Sequence, residues 1–147
     1  MRLVIATPLA VVVDTPDVAH VRAEDDTGSF GILEHHADFL TVLAISVLSW
    51  RDGSSVEHYA AVRGGVLSVT GGRTVRVATR EAVAGTDLQE LETAVLARFR
   101  EEVGAEQMAR TGAARLQIAA IREICRYLRP ESARRALPRL SAQEVPE

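Results

Sequence analysis

Val66-Leu67-Ser68-Val69-Thr70-Gly71-Gly72-Arg73-Thr74-Val75-Arg76-Val77-Ala78-Thr79 holds two β-branched runs on either side of a glycine pair. Glycine supplies positive φ at no steric cost, so Gly71-Gly72 predicts a hairpin turn between two strands. Val75 and Val77 alternate with Arg73, Thr74 and Arg76, which gives the second strand one dry and one wet face. The same grammar extends outward. Asp52-Gly53 separates Ile45 to Arg51 from Val56 to Val62, and Asp14-Thr15-Pro16-Asp17 separates two Val-rich runs, so each predicts a further hairpin. Val18, His20, Arg22 and Glu24 alternate with Ala19, Val21 and Ala23. Trp50 and Tyr59, near either side of the Asp52-Gly53 turn, read as cross-strand packing residues. Short strands at this spacing, with helix signals nearly absent from Arg2 to about Val83, are the pattern of an all-β sandwich or barrel, and an antiparallel β-sandwich is expected over residues 1–85.

At Thr86 the character changes. Thr86-Asp87-Leu88-Gln89 is a capping-box pattern, followed by Glu90 and Glu92 where negative charge suits the helix dipole. Leu88, Leu91, Val95, Phe99 and Val103 recur every three or four residues and form one apolar stripe, and Gly104 offers a stop. Ala114, Ile118, Ile121, Cys125 and Leu128 form a second stripe, so residues 86–129 are expected to make a helical hairpin with Cys125 in its seam. Much of that seam is methyl-sized, so the hairpin is expected to detach and rearrange as a unit. Residues 130–147, with Pro138 and Pro146 and few large apolar side chains, read as a mobile tail. The fold class expected is therefore an all-β N-terminal sandwich followed by a C-terminal α-helical hairpin, α+β overall.

Composition narrows the chemistry. All 17 basic residues are Arg, and the chain contains neither Lys nor Asn. Without lysine there is no Walker-type phosphate loop, no Schiff base and no lysine general base, so the chain is not itself a P-loop ATPase. The net charge of −3 gives no positive excess to track a phosphate backbone, and nucleic acid is not an expected partner. Cys125 is the single cysteine, which excludes an internal disulfide and a thiolate cluster, and a reducing compartment is expected. The apolar opening from Leu3 to Val13 is broken by Thr7-Pro8 and ends at Asp14, unlike a secretory leader or a membrane span. A soluble cytosolic protein without direct membrane insertion is expected.

One segment is more distinctive than the rest: Thr27-Gly28-Ser29-Phe30-Gly31-Ile32-Leu33-Glu34-His35-His36-Ala37-Asp38-Phe39-Leu40-Thr41. It resembles the signature of the F-type ATP synthase epsilon subunit, with Gly31, Ile32, Leu33, His36, Ala37, Leu40 and Thr41 in matching positions. Val62 to Val69 resembles that family's Gly-Gly strand, and Ala82 to Leu88 its junction into the first helix. The resemblance spans roughly residues 2–128. It departs at Glu34-His35, where the family has Pro-Gly, so a turn usually stiffened by proline and relaxed by glycine is built from two residues with side chains.

The resemblance implies a non-catalytic central-stalk subunit that links gamma to the membrane c-ring, couples ion translocation to ATP synthesis or hydrolysis, and needs no cofactor or metal. It would sit peripherally on the cytoplasmic face of the inner membrane. Ser29, Glu34, His35 and His36 are then assigned to the c-ring-facing edge. At 100° per residue, Arg115, Arg122, Arg126 and Arg129 fall within roughly 60° of arc. The resemblance suggests that this basic edge contacts the catalytic beta subunit of the alpha/beta head and hinders hydrolysis. Where some family members carry an ATP-binding Asp and Arg, this chain has Arg110 and Ala113, so no ATP binding in that mode is expected. Two other readings stay open: a small metal-dependent β-fold enzyme using His35 and His36 with His20 or His58, and a β-sandwich adaptor unconnected to the synthase.

Overall fold

A computed structural model describes residues 1–128. Eight strands come first: β1 (Arg2–Ala6), β2 (Val11–Thr15), β3 (Val18–Asp25), β4 (Gly28–Leu33), β5 (Phe39–Asp52), β6 (Glu57–Thr70), β7 (Thr74–Ala78) and β8 (Ala82–Gly85). They hydrogen-bond in the order β2-β1-β7-β6-β5-β3-β4, with β8 added to β6. The 14-residue strands β5 and β6 hold the sandwich together, because each runs through both layers. The N-terminal half of β6 pairs with β8 through residues 59–62, whereas its C-terminal half pairs with β7 through residues 66–70. The bend between the halves falls at Gly64 and Gly65, with φ of 65° and 125°, and strands of a sandwich change layer at such bends. Between the layers lie Leu3, Ile5, Val21, Ile32, Leu48, Val62, Leu67, Val75 and Val77, all essentially without solvent exposure.

The hairpins at Asp52-Gly53 and Gly71-Gly72 form as expected. At the first, the Asp52 carboxylate accepts from the backbone N–H groups of Ser54 and Val56; at the second, Gly71 and Gly72 have φ of 60° and 65°. The Asp14–Asp17 segment differs. It joins two strands that do not pair, since β2 pairs with β1 and β3 pairs with β4 and β5. Pro16 has no N–H to give a ladder, and the Val18 N–H bonds to the Met1 carbonyl instead. One pair also departs from the antiparallel expectation, β1 running parallel to β7. Val18 is buried and Ala19 exposed, against the expected alternation, because a register shift between Val18 and His20 turns the strand over. Trp50 lies opposite His58 rather than Tyr59, with the two rings stacked at 5.5 Å between centroids.

The helical region starts one residue later than the capping box suggests. Asp87, not Thr86, caps it, its Oδ1 accepting from the N–H groups of Gln89 and Glu90; a carboxylate at this position also answers the helix dipole. After α1 (Leu88–Glu90), residues Leu91–Val95 form a π-helical turn, and α2 runs from Leu96 to Leu128. The wide turn explains a residue the periodicity misses. Five residues on, an α-helix has rotated by about 140° away from the starting face; the π turn, closed by the Leu96 N–H on the Leu91 carbonyl, brings Leu96 back beside Leu91. Leu91, Leu96 and Phe99 bury themselves with Ala61 against Ile45, Val47, Tyr59 and Val83.

The hairpin is not formed, because α2 continues without a break through Gly104 and Gly112. A helical glycine costs only about 1 kcal/mol relative to alanine, and the neighbours Glu101, Glu102, Ala105, Glu106, Gln107 and Met108 are good helix formers apart from Val103. Ala114, Ile118, Ile121, Cys125 and Leu128 are exposed, so Cys125 is a surface thiol rather than a seam residue. The chain divides into two compact units, Met1–Gly104 and the segment that begins at Ala105. The tail expected over residues 130–147 lies outside the described residues.

The bend makes a sharp test. A Cβ on Gly65 would lie 2.2 Å from the Ala78 carbonyl oxygen, at a φ that L-residues rarely adopt. Gly65→Ala is expected to lower stability by about 3 kcal/mol or more, measured as the urea midpoint, while the same change at Gly104, where the added methyl meets nothing within 4 Å, is expected to raise it slightly.

Candidate functional site

Among the described residues, strand β4 is an edge of the sheet, paired on one side only, with β3. Ser29 stands near its start, and Glu34, His35 and His36 follow its end. All four lie along one border of the sandwich, but Ser29 and Glu34 are about 16 Å apart at strand spacing, so they do not form one cluster. Ser29 is exposed opposite Glu24 on a cavity wall, whereas Glu34 to His36 form a turn next to the β6–β7 hairpin.

The turn achieves with Glu34-His35 what Pro-Gly would do. The His36 N–H closes on the Leu33 carbonyl at 3.2 Å, and His35 sits at φ 67°, the sign required of the third residue in a type II turn. It is held there from outside. The His35 N–H donates to the Gly72 carbonyl at 2.8 Å, the Gly71 N–H donates to Asp38 Oδ1 at 2.7 Å, and a Cβ on Gly72 would meet the His35 Cα at 2.8 Å. His36 turns back on its own loop, with Nδ1 2.8 Å from the Ala37 carbonyl and its ring edge-on to Phe39. Of the three turn residues, Glu34 and His35 are exposed and His36 is half-buried. His58 is occupied elsewhere, against Trp50 and 3.0 Å from Asp52 Oδ2. Among the described residues, no three His, Cys, Asp or Glu side chains gather where they could hold a metal ion.

Around the edge from this corner, the outer face of the other layer carries a feature the sequence does not announce. Leu40, Val42 and Val66 are 71%, 66% and 41% exposed. Val42 and Val66 are opposite each other across β5 and β6, and Leu40 stands two residues along on the same face. Asp25, Asp26, Thr27 and Thr41 border them in a shallow depression. Asp25 is the fixed point of that border, accepting from the Thr27 N–H, the Thr27 hydroxyl and the Thr41 hydroxyl at 2.8, 2.6 and 2.8 Å. These bonds, led by the Thr27 hydroxyl, hold its carboxyl below the usual range.

On α2, Arg115, Arg122 and Arg126 are exposed, Arg126 lying 3.9 Å from Glu123. Arg129 lies outside the described residues.

Two measurements check this geometry. Holding a β-carbon in the left-handed region costs about 1–2 kcal/mol, offset in part by the greater unfolded-state freedom of glycine; His35→Gly is therefore expected to stabilise the sandwich by up to about 1 kcal/mol and His35→Val to destabilise it, read by thermal melting. For Asp25 the folded pKa lies below the unfolded one, so its contribution is complete above about pH 4 and disappears as pH falls through the folded value. Urea titrations of Asp25→Asn are expected to show a lower midpoint at pH 7 and a flatter decline on acidification.

Residues 1–85 match the family model described as ATP synthase, Delta/Epsilon chain, beta-sandwich domain. A relative from Paraburkholderia xenovorans, "ATP synthase epsilon chain 2", is 41% identical over 130 residues, covering 88% of this chain and 94% of its own. Another of the same name from Cereibacter sphaeroides is 44% identical over 128 residues, 87% of this chain and 88% of its own. Among solved structures, a chain in the cryo-EM structure of the Euglena gracilis mitochondrial ATP synthase (OSCP/F1/c-ring) superposes with a TM-score of 0.55 at 23% identity, covering 78% of this chain and 70% of that one, and it agrees in fold. Sandwich, Gly-Gly bend and relatives aligned along nearly the whole length lead to one assignment: the chain belongs to the epsilon-chain family of the F-type ATP synthase.

Proposed function

We propose that the sandwich acts as a rigid coupling in the central stalk, with the strip Leu40, Val42 and Val66 seated on the gamma subunit and the β4 border facing the c-ring. The chain is an accessory, non-catalytic subunit of the membrane-associated synthase, so its work is to transmit force between partners. The exposed apolar strip is the observation that carries the reading. Three large apolar side chains presented together on a sheet face, with a polar border, favour a protein partner. Stiffness comes from β5 and β6, which pair from Phe39↔Val69 to Arg51↔Glu57 and cross both layers, so a load applied at one face reaches the other through continuous strands.

The ring-facing contact is assigned to Ser29, Glu34, His35 and His36. Ser29, Glu34 and His35 are its polar, exposed members, suited to polar loops. On α2, the arc of Arg115, Arg122 and Arg126 is assigned to acidic residues of the beta subunit, where an extended helix would hinder hydrolysis; Arg129, which lies outside the described residues, is assigned there from the sequence spacing alone. Guanidinium groups along one edge favour carboxylate-rich partners. The location that follows is peripheral, on the cytoplasmic face of the inner membrane; no helix among the described residues is long and apolar enough to cross a membrane.

Co-purification with a gamma subunit tests the assignment. Leu40→Glu with Val42→Glu is expected to weaken the complex at least about 30-fold, as loss of an interface centre does, while leaving the thermal midpoint of the free protein nearly unchanged. A complex of undiminished affinity would sink the reading.

A further inference from the structure

Where the helical region meets the sandwich, four charged side chains close a ring of alternating sign. Arg63 on β6 places Nη1 3.3 Å from Glu102 Oε2 and 3.9 Å from Glu81 Oε2. Arg98 donates to Glu81 Oε1 from Nη2 and lies 3.7 Å from Glu102 Oε1 through Nε. Each cation therefore touches both anions, and each anion both cations. The members come from three places in the chain: Arg63 just before the Gly64-Gly65 bend, Glu81 between β7 and β8, and Arg98 and Glu102 one turn apart on α2. Backbone bonds fix two of these places together, the Arg63 N–H donating to the Glu81 carbonyl at 2.9 Å and the Thr79 hydroxyl to the same oxygen at 3.0 Å. Phe99, fully buried, lies beside the ring, with the Arg98 guanidinium 5.2 Å from its centroid.

We propose that this ring is a latch that joins the first part of the helical region, up to Gly104, to the sandwich as one cooperative body, so that only residues 105–128 open separately. Surface ion pairs contribute little singly. Here the Arg63 side chain is 10% exposed, and removing a partner from a mostly buried cation costs far more than an exposed pair provides. The ring adds to an apolar anchor, Leu91, Leu96 and Phe99, that ends close to the same point. Beyond Val103 the large apolar side chains, from Met108 to Leu128, are exposed. The expectation that residues 86–129 move as one unit is replaced by a boundary at Gly104.

Amide hydrogen exchange on the full chain tests the latch. Residues 96–103 are expected to exchange at least roughly tenfold more slowly than 113–128 in the wild type. In Glu102→Gln and in Glu81→Gln the protection of 96–103 is expected to fall by roughly tenfold while that of β5 and β6 stays unchanged. Salt at 1 M, with a screening length of about 3 Å, is expected to speed exchange of 96–103 in the wild type and to have little further effect in Glu102→Gln. Equal rates on the two sides of Gly104, or protection of 96–103 that is unmoved by both substitutions and by salt, would overturn the proposal. Phe99→Ala serves as the apolar control: its loss of protection is expected to be insensitive to salt.

Discussion

The close approach of Gly65 to the Ala78 carbonyl is the constraint on which the rest of the molecule turns. No side chain fits between them, and because none is there, β6 can leave one layer and enter the other without a shift in its register against β5. On one side of the bend β6 carries Val66 in the exposed strip, and on the other it carries Arg63 and Ala61 toward the helix. A single strand thus connects the surface assigned to gamma with the platform that receives the helical region. In a rotor part that does no chemistry, this continuity lets strain at one surface be felt at the other.

The strands were largely legible because their turns carry a backbone reason. Gly71-Gly72 takes a left-handed backbone that few residues adopt, Asp52 ties its turn with its carboxylate, and each lies where the chain reverses. Asp14-Thr15-Pro16-Asp17 shows where such reasoning stops: turn residues specify a change of direction, but not whether the next strand pairs with the last one. That depends on long-range pairing, here of Val18 with Met1 and of β1 with β7. Val18 was misassigned for a related reason, since a bulge is invisible to an alternating pattern. The helical hairpin failed on energetics. Gly104 is a weak stop signal amid strong helix formers, and no proline supports it.

The candidate site was legible in part. The motif from Thr27 to Thr41 located the β4 border, and the Glu34-His35 departure marked the turn that proved to hold a strained residue. The strip Leu40, Val42 and Val66 was not readable as a surface, because apolar residues in a strand look alike whether they face a core or a partner. The charged ring was equally hidden. Arg63, Glu81, Arg98 and Glu102 are unremarkable at their own positions, and only the fold brings them together.

The π turn at Leu91–Val95 has a consequence for how this junction tolerates change in length. Leu91, Leu96 and Phe99 are spaced by five and three; losing any one residue between Glu92 and Val95 would turn those intervals into four and three, the ordinary rhythm of an α-helix. The wide turn is thus a stored insertion, absorbed where the backbone can loop outward without dephasing the anchors on either side. Loss of one residue at this joint therefore leaves the same leucines and phenylalanine on the gripping face.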